Sequence, residues 1–346
     1  MELGTAVLGA ATLGASALLT ALARRFALSR GILDIPNDRS SHSTATPRGG
    51  GMAIVVAAAA AMVILMLVGR MPRDLVLALV GGGMAVAAVG FLDDRRKVPA
   101  GVRLAVHALA AAWAVTWLGG VTVIRIGEHL AQLGWIGSAL AVFGIVWTLN
   151  LFNFMDGIDG IATAEAIFVA GAGALLASRG ADAGGVSAAA WVFACACGGF
   201  LCWNWPPAKV FLGDVGSGYL GYVIGVLALA AAREIPVALW AWLILGGVFF
   251  VDATVTLLRR LLRGERVHQA HRSHAYQWLA RRWGNHAKVT CAVLIVNVLW
   301  LLPCAVFATR RPGLAAATVI FAFAPLVLLA IAASGRREAN DSSRHG

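Results

Sequence analysis

The recurrence of apolar runs long enough to cross a bilayer constrains this chain more than any other feature. Eleven runs lie along its 346 residues, at about 3–23, 50–69, 75–92, 103–121, 135–152, 161–178, 184–203, 216–232, 236–257, 289–308 and 313–333. A transmembrane helix needs roughly 17–25 apolar residues. Backbone within lipid must satisfy its own hydrogen bonds, so runs of this length are expected to be helices. We predict an all-α polytopic integral membrane protein with about eleven transmembrane helices.

Lys and Arg are distributed unevenly between the two sets of connections. With residue 1 outside, the inward segments are 24–49, 93–102, 153–160, 204–215, 258–288 and 334–346. They carry 21 of the 28 Lys and Arg residues, counting Arg103 at a helix edge, and the outward segments carry seven. The positive-inside rule therefore predicts an outside N-terminus and a cytoplasmic C-terminus. The net charge of +11 mostly reflects topology, and no soluble basic domain exists to bind nucleic acid.

Acidic residues are concentrated at the inward ends of the apolar runs. Asp93 and Asp94 end one run, Asp156 and Asp159 follow another, and Asp214 precedes a third. Each acid alone could simply mark a helix end, but acids at a membrane boundary usually belong to a site. Crowded carboxylates raise one another's pKa values, and a divalent cation relieves that repulsion. An oxygen-only set of Asp and Asn side chains favours Mg²⁺ or Mn²⁺.

The stretch "NLFNFMDGIDG" at 150–160 shows this chemistry most densely. Asn150, Asn153 and Asp156 are spaced by three and share one helix face if the helix extends that far. Gly157 and Gly160 then allow the backbone to approach a ligand. We predict a metal–phosphate site at the inner membrane surface. Asp74 and Asp252 are interpreted as a helix N-cap and a lone polar residue within a span.

Basic and histidine residues are dense in segment 258–288. His268, His271 and His274 recur every third residue among arginines. A juxtamembrane helix on anionic lipid and a histidine metal site are alternatives. We favour a phosphate clamp, because Arg and protonated His make charge-assisted hydrogen bonds to phosphate oxygens. Phe211 either packs at the membrane interface or stacks on a nucleotide base. The segment "DVGSG" has small residues whose N–H groups can face a phosphate at the start of the next helix.

Five motifs lie in order on the inward segments: "PRGGG", "FLDD", "NLFNFMDGIDGIA", "NWPPAKVFLGDVGSG" and "HRSH". Together they resemble the polyprenyl-phosphate N-acetylaminosugar-1-phosphate transferase family, of glycosyltransferase family 4 type. The resemblance covers essentially the whole chain. "PRGGG" and "HRSH", without an "HHH" run, make the chain most similar to the O-antigen-initiating branch.

The resemblance implies a phosphoglycosyl transferase reaction. Undecaprenyl phosphate attacks the β-phosphorus of a UDP-N-acetylamino sugar, UMP leaves, and a lipid-linked surface polysaccharide such as O-antigen is initiated. The implied location is the bacterial inner (plasma) membrane, with the active site facing the cytoplasm. The implied cofactor is Mg²⁺, with Mn²⁺ as an alternative, and a homodimer is left open. Residues 1–335 then form a single transmembrane catalytic domain with active-site loops at 24–49, 93–102, 153–160, 204–215 and 258–288, followed by a polar cytoplasmic tail, 336–346.

The resemblance also assigns residues. Asp93 and Asp94 are expected to be catalytic, with Asp93 acting on the lipid phosphate. The expected metal-binding residues are Asp94, Asn153 and Asp214. The expected substrate-binding residues include Asn150 and, from the first loop, His42 and Arg48. The full set is Asn150, Asp156, Asp159, Asn204, Phe211, His271, Arg272, His274, His42 and Arg48.

The chain departs from the family pattern at two places, and two other protein classes also place acids at or within a membrane. The residues after "DD" are "RRK", so a third acid is missing, and Arg272–Ser273 stand where relatives carry histidine. A CDP-alcohol phosphotransferase gathers its acids in one "DG…AR…G…D…D" run, which this chain lacks. An ion-coupled transporter places acids near mid-span. Direct attack is favoured over a covalent aspartyl intermediate, and the sequence does not select one UDP-sugar.

Overall fold

The computed structural model describes residues 3–35, 45–121, 123–127, 129–178, 184–265 and 273–342. Its helices are α1 (Leu3–Arg30), α2 (Met52–Leu67), α3 (Arg73–Val76), α4 (Gly82–Arg95), α5 (Ala100–Leu118), α6 (Gly134–Met155), α7 (Ile161–Ala177), α8 (Gly184–Asn204), α9 (Gly213–Glu234), α10 (Ala238–Leu245), α11 (Gly247–Leu262), α12 (Ala275–Trp283), α13 (His286–Val296), α14 (Leu302–Arg310) and α15 (Ala315–Ser342). π-Helical turns at Leu77–Gly81 and Asn297–Leu301 join α3 to α4 and α13 to α14.

Every apolar run of the sequence lies on one of these helices or on two consecutive ones. Within the described residues, eight helices are long and apolar enough to cross a membrane, and the bent pair α10–α11 makes nine. The remaining two runs lie on the shorter apolar helices α2 and α7. The prediction of an all-α polytopic membrane protein is therefore confirmed. The count of eleven spans and their orientation stay predictions.

Two short antiparallel strand pairs interrupt the helices. β1 (Leu33–Asp34) pairs with β2 (Thr46–Pro47), and β3 (Val123–Ile126) pairs with β4 (His129–Gln132). The segment after β2 is bound to the start of α9, because Gly50 N–H donates to Phe211 O at 3.0 Å and Phe211 N–H donates to Pro47 O at 2.8 Å. The first pair therefore fixes the "PRGGG" segment beside α9.

Helix α9 is the centre of the bundle, and almost all of its residues are buried. It packs against α4 and α6. Gly90 of α4 lies so close to α9 that an added Cβ would be 2.6 Å from Asp214 O. Small residues permit this close approach between membrane helices. The close packing places the end of α4, with its two aspartates, beside the first turn of α9.

The run at 236–257 is not one straight span. α10 and α11 meet at Gly246 with a bend of 72°. Hydropathy alone indicated a single helix, because both segments are apolar and the break is one residue long. The bend separates the short α10 from α11, whose residue Asp252 accepts a hydrogen bond from the first turn of α12.

Candidate active site

A polar cavity of about 150 Å³ lies between the end of α6, the start of α9 and the segment after β2. Its polar and aromatic lining residues are Asp34, Arg48, Asn153, Asp156, Asp159, Asn204, Phe211, Asp214 and His286. They come from segments that are far apart in sequence, so only the folded bundle brings them together. Among the predicted residues, this cavity gathers Arg48, Asn153, Asp156, Asp159, Asn204, Phe211 and Asp214.

Asp94 at the end of α4 caps the start of α9. Its Oδ1 accepts from Asp214 N–H at 2.9 Å, and its Oδ2 accepts from Val215 N–H at 3.2 Å. A carboxylate is favoured there because the first N–H groups of a helix have no partner within the helix. Gly213 permits this contact through its φ of +74°, and an added Cβ would lie 2.5 Å from Asp94 Oδ2.

Arg48 bridges two of the aspartates. Its Nε lies 2.9 Å from Asp94 Oδ1, and its Nη2 lies 3.6 Å from Asp214 Oδ2. Burial acts to lower the pKa of Arg48, but the charges of Asp94 and Asp214 outweigh it and hold that pKa above its usual value. The "PRGGG" segment thus delivers a fixed positive charge between two carboxylates.

Asp93 lies beside this cluster but not in the cavity lining. Its Oδ1 accepts from Val98 N–H at 2.8 Å, and its Oδ2 is paired with Arg103. Its carboxyl also lies within hydrogen-bonding reach of the Asp214 carboxyl. Both oxygens of Asp93 are therefore engaged, which leaves this carboxylate poorly placed to accept a proton from a ligand.

The end of α6 supplies the next pair of polar residues. Asn153 Nδ2 donates to Asp214 Oδ1 at 3.3 Å and to Ser217 Oγ at 3.2 Å. The helix ends at Met155, so Asp156 follows it and does not continue the predicted helix face. Burial first, and then the charge of Asp214, raise the pKa of Asp156 to about 8. A bound cation would oppose that shift.

The other side of the cavity is built on the loop before α7. Asp159 Oδ2 accepts from Ala208 N–H at 3.0 Å. Asn204, only 3% exposed, accepts from Gly160 N–H at 3.1 Å and donates to Val210 O at 3.0 Å. Asn204 therefore holds two loops together, while Phe211 presents an aromatic ring to the cavity.

Five of the expected substrate-binding residues are not among the described residues that line the cavity. Asn150 lies one turn deeper in α6, where its Nδ2 donates to Val146 O at 2.7 Å. His274 is 2% exposed, and its Nδ1 lies 3.4 Å from Asp252 Oδ1. The other three, His42, His271 and Arg272, lie outside the described residues.

His274 and Asp252 instead connect α12 to the site. Asp252 accepts from Ala275 N–H at 2.9 Å and Tyr276 N–H at 3.1 Å, so it caps α12. Tyr276 Oη then donates to Phe154 O at 3.0 Å, next to the cavity. The interpretation of Asp252 as a lone polar residue is wrong, because its carboxylate accepts hydrogen bonds from the first N–H groups of α12.

Two lining residues were not singled out from the sequence, Asp34 and His286. Asp34 is in β1, and His286 is the first residue of α13, 3.4 Å from Asp159 Oδ2 through Nδ1. Both belong to inward segments, which is the signal that could have indicated them. No local pattern separates them from the other polar residues of those segments.

The acidic cluster offers oxygen atoms that could bind a divalent cation. Asp94, Asp214 and Asn153 offer oxygen ligands of the kind that Mg²⁺ accepts. Within the described residues, no group of three or more His, Cys, Asp or Glu side chains is arranged to hold a metal. Mg²⁺ usually uses one or two carboxylates and completes its shell with water and substrate phosphates. The residues fit a cation shared with a phosphate ligand.

The chain is similar in sequence to known proteins. Residues 76–232 match glycosyl transferase family 4. The chain is 27% identical over 289 residues, 82% of its length and 79% of the relative's, to a probable undecaprenyl-phosphate N-acetylglucosaminyl 1-phosphate transferase of Bacillus subtilis. It is 33% identical over 203 residues, 54% of its length and 62% of the relative's, to a phospho-N-acetylmuramoyl-pentapeptide-transferase of Moorella thermoacetica. The region matched to glycosyl transferase family 4 contains the aspartates of α4, of the loop before α7 and of α9.

Proposed function

We propose that this protein transfers an N-acetylamino-sugar 1-phosphate from a UDP-sugar to undecaprenyl phosphate and releases UMP. The observation that carries the proposal is the cluster of Asp94, Arg48 and Asp214 at the ends of apolar helices. Such a position allows a prenyl chain to remain in lipid while a nucleotide sugar arrives from water. The similarity to a probable undecaprenyl-phosphate N-acetylglucosaminyl 1-phosphate transferase and to a phospho-N-acetylmuramoyl-pentapeptide-transferase supports the same reaction class.

The electrostatics of the cavity suit two anionic reactants. A UDP-sugar carries about two negative charges and a lipid phosphate about one to two, given a second phosphate pKa near 6. Their approach at a low-dielectric boundary is the main barrier, so neutralising charge is the largest expected contribution. Arg48 already bridges two carboxylates by 2.9 and 3.6 Å contacts. We expect it to turn toward a phosphate oxygen when a ligand enters.

We further propose that Mg²⁺ is the cofactor and that Asp94, Asp214 and Asn153 hold it, with Mn²⁺ as a substitute. When bound, the ion neutralises phosphate charge and orients the diphosphate. The three residues are already in mutual contact through Asp214, since Asn153 and Asp94 both hydrogen-bond to it. These contacts, which follow from the packing of α4, α6 and α9, support the assignment of the cation to this cluster.

The proposed chemistry is direct attack. An oxygen of the lipid phosphate bonds to the β-phosphorus, the bond from that phosphorus to the bridging oxygen breaks, and the electron pair leaves with UMP. The attacking phosphate is largely ionised at neutral pH, so it needs little general-base help. This fits Asp93, whose oxygens are occupied by Val98 N–H and Arg103. We assign Asp93 to placing Arg103 near the lipid phosphate.

The donor nucleotide is proposed to occupy the side of the cavity formed by Asp159, Asn204 and Phe211. Phe211 supplies a ring for stacking on uracil. Asn204 fixes the two loops through Gly160 N–H and Val210 O. In the cell, the reaction would start a lipid-linked surface polysaccharide such as O-antigen at the cytoplasmic face of the bacterial inner membrane.

The test is a transfer assay with purified protein in vesicles that contain undecaprenyl phosphate. We expect UMP release and a lipid-linked sugar with at least one member of a panel of UDP-N-acetylamino sugars. EDTA should stop the reaction and Mg²⁺ should restore it. Turnover of a CDP-alcohol instead, or ion flux without UMP release, would assign the protein to another class. Activity that persists at full rate in EDTA would contradict the metal assignment.

A further inference from the structure

His286 faces the candidate active site but belongs to none of the motifs that carry the family resemblance. We propose that His286 binds the nucleotide part of the donor, through a hydrogen bond from its Nε2 nitrogen to the uridine phosphate portion. The inference rests on the proposed function, because it names a further donor-binding residue for that reaction. Residue 286 lies beyond the region matched to the family, 76–232.

The backbone places His286 at the entrance of α13 in a defined way. Gly284 ends α12 with a φ of +59°, a conformation that favours glycine. Asn285 is the N-cap of α13, and its side chain accepts from Lys288 N–H at 2.9 Å. A capped start keeps the first helical residue in one orientation. His286 therefore projects from a fixed turn that lines the cavity.

Asp159 engages one of the two ring nitrogens of His286. Nδ1 lies 3.4 Å from both Asp159 N and Asp159 Oδ2. A histidine with one nitrogen held by a partner presents the other nitrogen to a ligand. The His286 side chain is 18% exposed and lines the cavity.

Two further contacts hold α13 against the loop that carries Asp159. Thr290 Oγ1 donates to Asp159 O at 3.3 Å, one turn along α13. Deeper in the bundle, Asn297 Nδ2 donates to Glu165 Oε2 at 2.6 Å, and Glu165 belongs to the α7 helix that this loop begins. These two hydrogen bonds hold His286 close to the Asp159 side of the cavity. A binding group supported in this way loses little freedom when a ligand arrives.

The charges around the cavity indicate what His286 would bind. Four aspartates line it: Asp34, Asp156, Asp159 and Asp214. Among the described lining residues, the basic side chains are Arg48 and His286. Arg48 is in contact with Asp94 and Asp214 at one end, and His286 is in contact with Asp159 at the other. A diphosphate that spans an acidic cavity needs a donor at both ends, and His286 supplies the second.

The experiment measures steady-state kinetics and UMP inhibition for H286A, H286N and H286Q in lipid vesicles. We expect H286A to raise the KM for the UDP-sugar and the inhibition constant of UMP together, each by about tenfold, as for loss of one hydrogen bond to a charged group. H286Q should recover part of the loss because its amide N–H can replace Nε2–H. The KM for undecaprenyl phosphate should not change. H129A, on the exposed β4 strand, is the matched histidine control.

Distinct outcomes separate this inference from the proposed function. Unchanged UMP inhibition in a folded H286A or H286Q protein would overturn the role of His286, even if transfer by the wild type is normal. A raised KM for the UDP-sugar with unchanged UMP inhibition would also overturn it, because His286 would then contact the sugar. If the wild type transfers no sugar, the proposed function fails, while titration of UMP binding by calorimetry still tests His286. A uniform loss of kcat in every variant, with the thermal midpoint lowered, would indicate a structural role and contradict the inference.

Discussion

Ion pairs involving the α3–α4 segment and α9 lie at both ends of this helix pair. The two ends differ in their balance of acids and bases. At one end, Asp74 of α3 pairs with Arg233 of α9 at 2.8 Å, one acid with one base. At the other end, Asp93 and Asp94 of α4 and Asp214 of α9 share Arg48 and Arg103. The first end is balanced and half-exposed, as a surface pair usually is. The second has more acids than bases, and a buried excess charge is retained where a ligand or cation offsets it.

The largest expected effect is loss of an acid from the unbalanced end. D94N and D214N should lower transfer by about 10³-fold or more, because each removes a proposed metal ligand and charge stabilisation of the transferring phosphate. D74N, at the balanced end of the same helices, is the matched control and should retain activity. The measurement is UMP release in vesicles. Near-normal turnover by D214N would show that the excess of acids at this end is not needed for the reaction.

Removal of Arg48 should have the next largest effect. R48A leaves Asp94 and Asp214 without their shared counter-charge, and we expect kcat/KM for the UDP-sugar to fall by about 100-fold. R48K should recover only part of this loss, since an ammonium cannot reproduce the two-point contact of a guanidinium. R233Q provides the control at the other end. Full activity of R48A would show that Arg48 is only a structural partner.

Gly213 tests whether the contact between α4 and α9 must be close. G213A places a Cβ 2.5 Å from Asp94 Oδ2 at a residue with φ of +74°. We expect about 1–3 kcal/mol lower stability from the strained backbone and a 10- to 100-fold loss of activity, roughly, from the displaced carboxylate. G144A, on α6 with open space around its Cα, is the control. Equal activity of the two variants would argue against a close-contact requirement.

The smallest effect is expected at the balanced pair itself. Asp74 and Arg233 have side chains that are 33% and 50% exposed, so their pairing should contribute about 0–1 kcal/mol. D74N and R233Q should therefore shift the thermal midpoint little and leave catalysis intact. Chemical or thermal unfolding in detergent provides the measurement. A large loss of activity in either variant would mean that both ends of these helices act in the reaction.

The sequence predicted the helices and the acidic cluster because both follow from local composition. A bilayer-length apolar run is a helix wherever it occurs, and each of the eleven runs lies on helical structure. Acids at helix ends are visible in the same way. The Asp94 contact with the first turn of α9 fits this expectation, since Gly90 and Gly213 make room for it.

The features that escaped sequence reasoning depend on tertiary geometry. The bend at Gly246 places Asp252 under α12, where it pairs with the buried His274. His286 joins the cavity only because Thr290 and Asn297 dock α13 on the Asp159 loop and α7. No local pattern distinguishes these residues from other polar residues in the same segments. The contacts of His286, Thr290 and Asn297 join residues that are 127 to 132 positions apart in sequence.

Direct observation of a bound cation tests the central claim most sharply. Mn²⁺ accepts the same oxygen ligands as Mg²⁺ and is detected by electron paramagnetic resonance. With UDP present, the wild type and D74N should show bound Mn²⁺, whereas D94N and D214N should show only free ion. Equal binding of Mn²⁺ by all four proteins would contradict the assignment of the cation to the acids of α4 and α9.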